Sequence, residues 1–244
     1  MDWTKAKTIL IVALIVTNCV LIVTYLFQEY HFKSDEEEVH AATIKLLKDK
    51  NIFVETKIPK THERMPKLTV QYDKIDQVKI DQQLANHRVL IPEEVTEDNI
   101  IALTTEFIEQ CNLMTENVTF DKIERIGDSF KVTYKNFLGE YPIEESYIIF
   151  TVVQGKIIDM NSFWLNPIEV SDIKKEVIPA VTALIRFMSE NKEEEKIHVQ
   201  DISLVYWVDS NAFDVESALT DTAFPTWRIT YNRGKIQYIT AWEQ

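Results

Sequence analysis

Twenty consecutive residues, Thr8 to Phe27, carry no charge and read TILIVALIVTNCVLIVTYLF. At about 1.5 Å per residue, a helix of that length crosses a hydrocarbon core of roughly 30 Å. No second stretch of the 244 residues comes close. A cleaved secretory signal has a shorter apolar core, about 7 to 15 residues, and a small-x-small site after it. Tyr25, Leu26, Phe27, Gln28, Glu29 and Tyr30 supply no such site, so the run reads as an uncleaved anchor. Lys5 and Lys7 stand before it, and an acidic flank with Glu29, Asp35, Glu36, Glu37 and Glu38 follows. That lysine bias places the tail, residues 1–7, in the cytoplasm and everything after the span outside the cell.

Beyond residue 33 the chain holds 23 basic and 37 acidic groups. Such a domain is repelled by nucleic acid and by anionic head groups, which leaves solvent or a protein partner as its neighbour. Cys19 lies in the span and Cys111 far outside it, so the two cannot pair within one molecule. The outer domain is therefore expected to rest on an ordinary apolar core.

Ser34-Asp-Glu-Glu has the form of a capping box and predicts a helix starting there and running to about Lys50. Between residues 52 and 92, FVETKI, KLTVQY and HRVLI are strand candidates separated by Pro59, Pro66 and acidic turns. Thr96 caps a second helix whose apolar positions Ile100, Leu103, Phe107, Ile108, Cys111 and Met114 recur at three and four, making Cys111 a core side chain. FDKIERIG, SFKVTYKNF and ESYIIFTVVQGKIIDMNSFWL follow as antiparallel strands turning at Gly127 and Gly139. Ser171 is the expected cap of a third helix, kinked by Pro179, and IHVQDISLVYWV, FPTWRITY and KIQYITAW are the closing strands.

The segment from Tyr147 to Trp164 resembles that from Trp227 to Trp242, with Gly155-Lys156-Ile157 set against Gly234-Lys235-Ile236. The expected fold class is thus α+β: an N-terminal transmembrane helix (8–27), a membrane-proximal α+β region (28–95), and two similar modules, each a helix with an antiparallel sheet (96–168 and 169–244).

Catalytic chemistry finds few footholds. Gly127, Gly139, Gly155 and Gly234 are scattered, so no phosphate-cradling loop or nucleophile elbow exists. The five histidines show no metal-ligand spacing and read singly as surface or turn residues. Glu144-Glu145 and Glu193-Glu194-Glu195 are carboxylate pairs of the kind acid–base catalysis needs, but with 39 acids in the chain a solvated surface is the simpler reading. Trp164, Tyr206, Trp207, Trp227, Tyr231, Tyr238 and Trp242 suggest a sugar-stacking face, against which cross-strand packing is favoured. The expectation is a protein that is no enzyme and carries no metal or cofactor.

Asn18 sits in the middle of the apolar run. A side-chain amide in hydrocarbon is costly unless bonded, and across helices such a bond contributes about 0.6 to 2 kcal/mol. Ala13 and Thr17 form a small-xxx-small pair beside it that permits close approach. These three residues are the candidate contact surface within the membrane.

The opening MDWTKAKTILIVALIVTNCVL, with Asp2, Trp3, a lysine pair and Asn18, resembles the start of the YycI (WalI) family. FPTWRITYNRGKIQYITAW, with Pro225, Trp227, Gly234 and Ala241, is similar to that family's closing hairpin, and the Val181–Phe187 helix followed by ISLVYWV fits as well. Residues 50–95 carry no part of the resemblance. It implies a membrane-anchored accessory protein of the WalK/WalR (YycG/YycF) two-component system, which controls cell-wall metabolism in low-GC Gram-positive bacteria. Its implied partners are a WalK-like sensor histidine kinase, contacted largely through transmembrane helices, and a YycH-like sister protein in a hetero-oligomer. A module that senses an extracytoplasmic ligand and uses the helix only as an anchor is the leading alternative, and an anchored wall hydrolase is a third.

Overall fold

The protein is described by a computed structural model covering residues 3–60, 63–73, 76–113, 118–191, 195–208 and 220–242. It is a mixed α+β fold built on one nine-stranded sheet. In chain order the elements are α1 (Trp3–Asp49), β1 (Ile52–Val54), β2 (Arg64–Asp73), α2 (Gln77–Asn86), α3 (Glu97–Gln110), β3 (Val118–Ile126), β4 (Ser129–Leu138), β5 (Tyr141–Val153), β6 (Lys156–Glu176), α4 (Ala180–Glu190), β7 (Ile197–Trp207), β8 (Thr220–Tyr231) and β9 (Lys235–Thr240).

The strands lie in the order β1-β7-β8-β2-β6-β5-β4-β3, with β9 on β8. Two long strands change neighbours along their length. Residues 156–163 of β6 pair with β5, and residues 164–176 pair with β2. In β8, residues 220–223 pair with β2, while 226–231 pair with β9. Most pairs are antiparallel, but β1 runs parallel to β7, and β5 meets β7 in parallel at Ile143 and Tyr206. Two separate cores result. One joins Leu47 of α1 to β2, α4 and β7–β9, and the other packs α2 and α3 on β4–β6. Residues 28–95 feed both, since Leu47, Ile52 and Leu68 belong to the first and Ile80 and Leu90 to the second.

Several sequence expectations change. No helix starts at Ser34, because α1 runs unbroken from Trp3 to Asp49. The segment from Ser171 is strand rather than helix, held by β2 up to the Arg64–Glu176 pair. A helix could not have crossed Pro179, whose ring has no N–H to give and forces the preceding Ile178 to stay extended; Pro179 instead occupies the N-cap of α4. HRVLI is not a strand, and α2, capped by Asp76 accepting from Val78 N and Lys79 N, was not anticipated. Its polar sequence buries only Ile80 fully, so the apolar period is too sparse to read. The helix from Thr96 forms as expected, Thr96 Oγ1 accepting from Asn99 N at 3.3 Å, and Cys111 is buried in the core.

Leu165 marks the point where β6 leaves one neighbour for the next, so its backbone groups lose the β5 ladder. Buried side chains replace that ladder. Leu165 N donates to Ser146 Oγ at 3.0 Å, and Asn136 Nδ2 donates to Leu165 O at 2.7 Å. Ser146 and Asn136 are both fully buried. A buried backbone N–H left without an acceptor costs about 1–3 kcal/mol, so Ser146→Ala should lower unfolding stability by that amount in urea titrations, with Ser146→Thr less affected.

Candidate functional site

Charged side chains from four strands, joined by a tyrosine from a fifth, meet where β5 joins β7. Glu144 of β5 accepts from Lys135 Nζ of β4 at 3.0 Å and from Arg228 Nη1 of β8 at 2.9 Å. Arg228 Nη2 reaches Asp201 Oδ2 of β7 at 3.5 Å, and Tyr238 OH of β9 donates to Glu144 Oε1 at 3.4 Å. The Glu144 side chain is 10% exposed and that of Lys135 14%, so this is an ion-pair network withdrawn from water. Arg228 Nε is buried without a partner among the described residues. Trp207 and Tyr238 stack at 4.9 Å beside it, both half-buried.

The surroundings drive the two adjacent carboxyls apart. Burial pushes Glu144 up, but the Lys135 and Arg228 cations outweigh it and hold its carboxyl below the usual range. For Glu145, burial wins and drives it up to about 7, against the Val208 N–H that donates to Oε2 at 3.3 Å. Glu144-Glu145 is therefore not the solvated pair that the count of acids suggested; it lies next to the Ile143–Tyr206 bridge, where the neighbouring strands cover it. Separated carboxyl groups are also what acid–base catalysis uses. Neither of the described cavities adjoins them, however; one lies at the start of α4 and the other beside α3. The network acts as a clamp between the two cores.

The residues singled out in the sequence fall in separate places. Ala13, Thr17 and Asn18 are exposed on α1, and Thr17 Oγ1 donates to Ala13 O at 2.9 Å. Asn18 finds no partner among the described residues. Asp2 lies outside the described residues, and Trp3 opens α1 with its side chain outside the description. Trp227 is fully buried, its Nε1 donating to Ile178 O at 2.9 Å ahead of α4. Pro225 is buried opposite Tyr206, and its carbonyl accepts from Ala241 N at 3.0 Å. Gly234 turns the β8–β9 hairpin at φ +92°. The closing motif is thus structural. Trp164, Tyr206, Trp227, Tyr231 and Trp242 are core residues, as cross-strand packing requires.

His87 is more than a turn residue. Its Nε2 accepts from Ile157 N at 3.0 Å, leaving Nδ1 to donate to Leu84 O at 2.9 Å, and its ring meets Phe107 edge-on. The same contact explains Gly155: at φ +75° it lets Leu90 approach so closely that a Cβ there would stand 2.7 Å from Leu90 O.

Around the apolar half of α1, Ile11, Leu14, Ile15, Val16, Val20, Leu21, Ile22 and Val23 are all exposed. Among the described residues no helix is long and apolar enough to cross a membrane. The side chains of residues 8–10, 12 and 25–27 of the uncharged run are outside that description.

A family model described as YycI protein matches residues 33–241. Among solved structures, the C-terminal domain of Bacillus megaterium YpeB is similar at 11% identity and a TM-score of 0.36, over 61% of this chain and 61% of that one. No curated protein matches the sequence.

Two outcomes test the clamp. Glu144→Gln leaves the buried Lys135 without its carboxylate and Arg228 with only the more exposed Asp201, and should cost about 3 kcal/mol in denaturant unfolding. Glu145 has a folded value above its ordinary 4.5, so its linked stability is complete below that pH and lost as pH rises through about 7. Glu145→Gln should accordingly flatten the melting temperature between pH 5 and 8 and raise stability at pH 8 by on the order of 1 kcal/mol.

Proposed function

The chain belongs to the YycI family of regulatory proteins associated with the WalK sensor-kinase system, and we propose that it acts there as a single-pass, membrane-anchored accessory subunit. In this reading the N-terminus is cytoplasmic and the α+β domain extracellular. α1 contacts the transmembrane helices of a WalK-like kinase, and the acidic domain pairs with a YycH-like sister protein.

The exposed apolar surface of α1 carries the reading. A helical stretch whose described apolar side chains, Ile11 to Val23, are all exposed needs lipid or other helices as its solvent. Within that surface the Asn18 amide has no partner among the described residues, and in hydrocarbon such an amide finds one across a helix interface. Ala13 and Thr17, one turn apart beside it, keep the approach narrow.

Asn18→Leu removes the amide while keeping the helix apolar. It should reduce co-purification of the kinase from detergent extracts about threefold to thirtyfold, as the loss of one interhelical bond predicts, and change kinase output in cells. Unchanged values of both would sink the interhelical role. If replacing residues 8–27 with an unrelated span preserves regulation, the helix is only an anchor and the ectodomain does the work.

A further inference from the structure

Where β6 hands over to α4 there is a cavity of about 650 Å³. Arg64, Lys174 and Lys175 line it, with Glu176 as the carboxylate in its wall. The net charge of the wall is positive on a chain whose own is −13. None of the three cations has an ion-pair partner among the described residues. Glu176 stands opposite Arg64 in the strand register without forming such a pair, and the nearby Glu63 carboxylate is engaged by Tyr141 OH at 2.6 Å.

Two further features belong to the same corner. Pro179 and Thr182 of the first turn of α4 line the cavity, and no side chain caps that helix end, so its positive dipole end is unopposed by a capping oxygen. Trp242 is bridged to Val177, another lining residue, and carries the Lys175 ammonium 5.0 Å above its ring. Its indole N–H is buried and has no acceptor among the described residues. The unpaired cations and the uncapped helix end that line this cavity ask for the same thing, negative charge with several acceptor oxygens. The volume is that of a small-molecule site.

We propose that this cavity binds a small multivalent anion, of the phosphate or polycarboxylate type, held by Arg64, Lys174 and Lys175. The site is independent of the membrane contact proposed above, because it lies wholly in the folded domain. Glu176 tempers it and limits affinity for singly charged ions.

Pyrophosphate titrated calorimetrically into the full chain in detergent micelles is the test, with sodium chloride at matched ionic strength as the control. Saturable binding with a dissociation constant below about 1 mM is expected. The double variant Arg64→Gln, Lys174→Gln, both exposed positions, should weaken binding about tenfold or more, and Glu176→Gln should tighten it severalfold. Melting curves of each variant establish that it is folded, and pyrophosphate should raise the melting temperature of the parent but not of the double variant. No saturable heat at millimolar pyrophosphate, equal affinity in the variants, or binding of a polyglutamate peptide without binding of pyrophosphate would each overturn the assignment.

Discussion

A strand that changes partners halfway must find new acceptors and donors for its backbone at the crossing, and β6 does so at Leu165. Ser146 and Asn136 take both backbone groups of that residue, so two buried polar side chains stand in for a missing strand. The positions of the two cores follow from this. Before Leu165 the strand faces α3 across β4 and β5; after it, the same strand lies on β2 and leads into α4. Without the local replacement the crossing would leave unpaired amides in a dry interior, a cost comparable to a sizeable part of a domain's stability.

The second junction is electrostatic. Glu144 draws Lys135 from one sheet segment and Arg228 from another into contact, close to where Ile143 meets Tyr206. The attraction is worth more here than at the surface because water is largely excluded, and for the same reason neither partner is easily removed. Polar contacts thus join the two cores at the junctions, while each core is apolar within itself.

Much of this was legible in sequence, and the failures share a cause. The α3 helix and the β3–β6 and β8–β9 hairpins follow from local period and turn chemistry, and Trp227 and Trp164 from strand packing. The continuation of β6 past Ser171 depends on β2, about a hundred residues earlier, which no local pattern records. Likewise Glu144 looks like a surface acid beside Glu145; only the distant Lys135, Asp201 and Arg228 make it an interior one. The cavity beside α4 is assembled from Arg64, the 174–179 segment and the Trp242 corner, residues that share no motif. Ala13, Thr17 and Asn18 were picked out by hydropathy alone, and the folded domain adds no contact to them among the described residues.

The unbroken course of α1 has a geometric consequence. Its 47 residues make a rod about 70 Å long, sealed to the folded domain near its end by Thr43 and Leu47 on one face. Asn18 is separated from that seal by helix alone, with no loop to absorb twist. The bearing of the domain's faces is thus indexed to the bearing of the amide, and each residue added between them would swing one relative to the other by about 100°. The helix sets an angle as well as a distance.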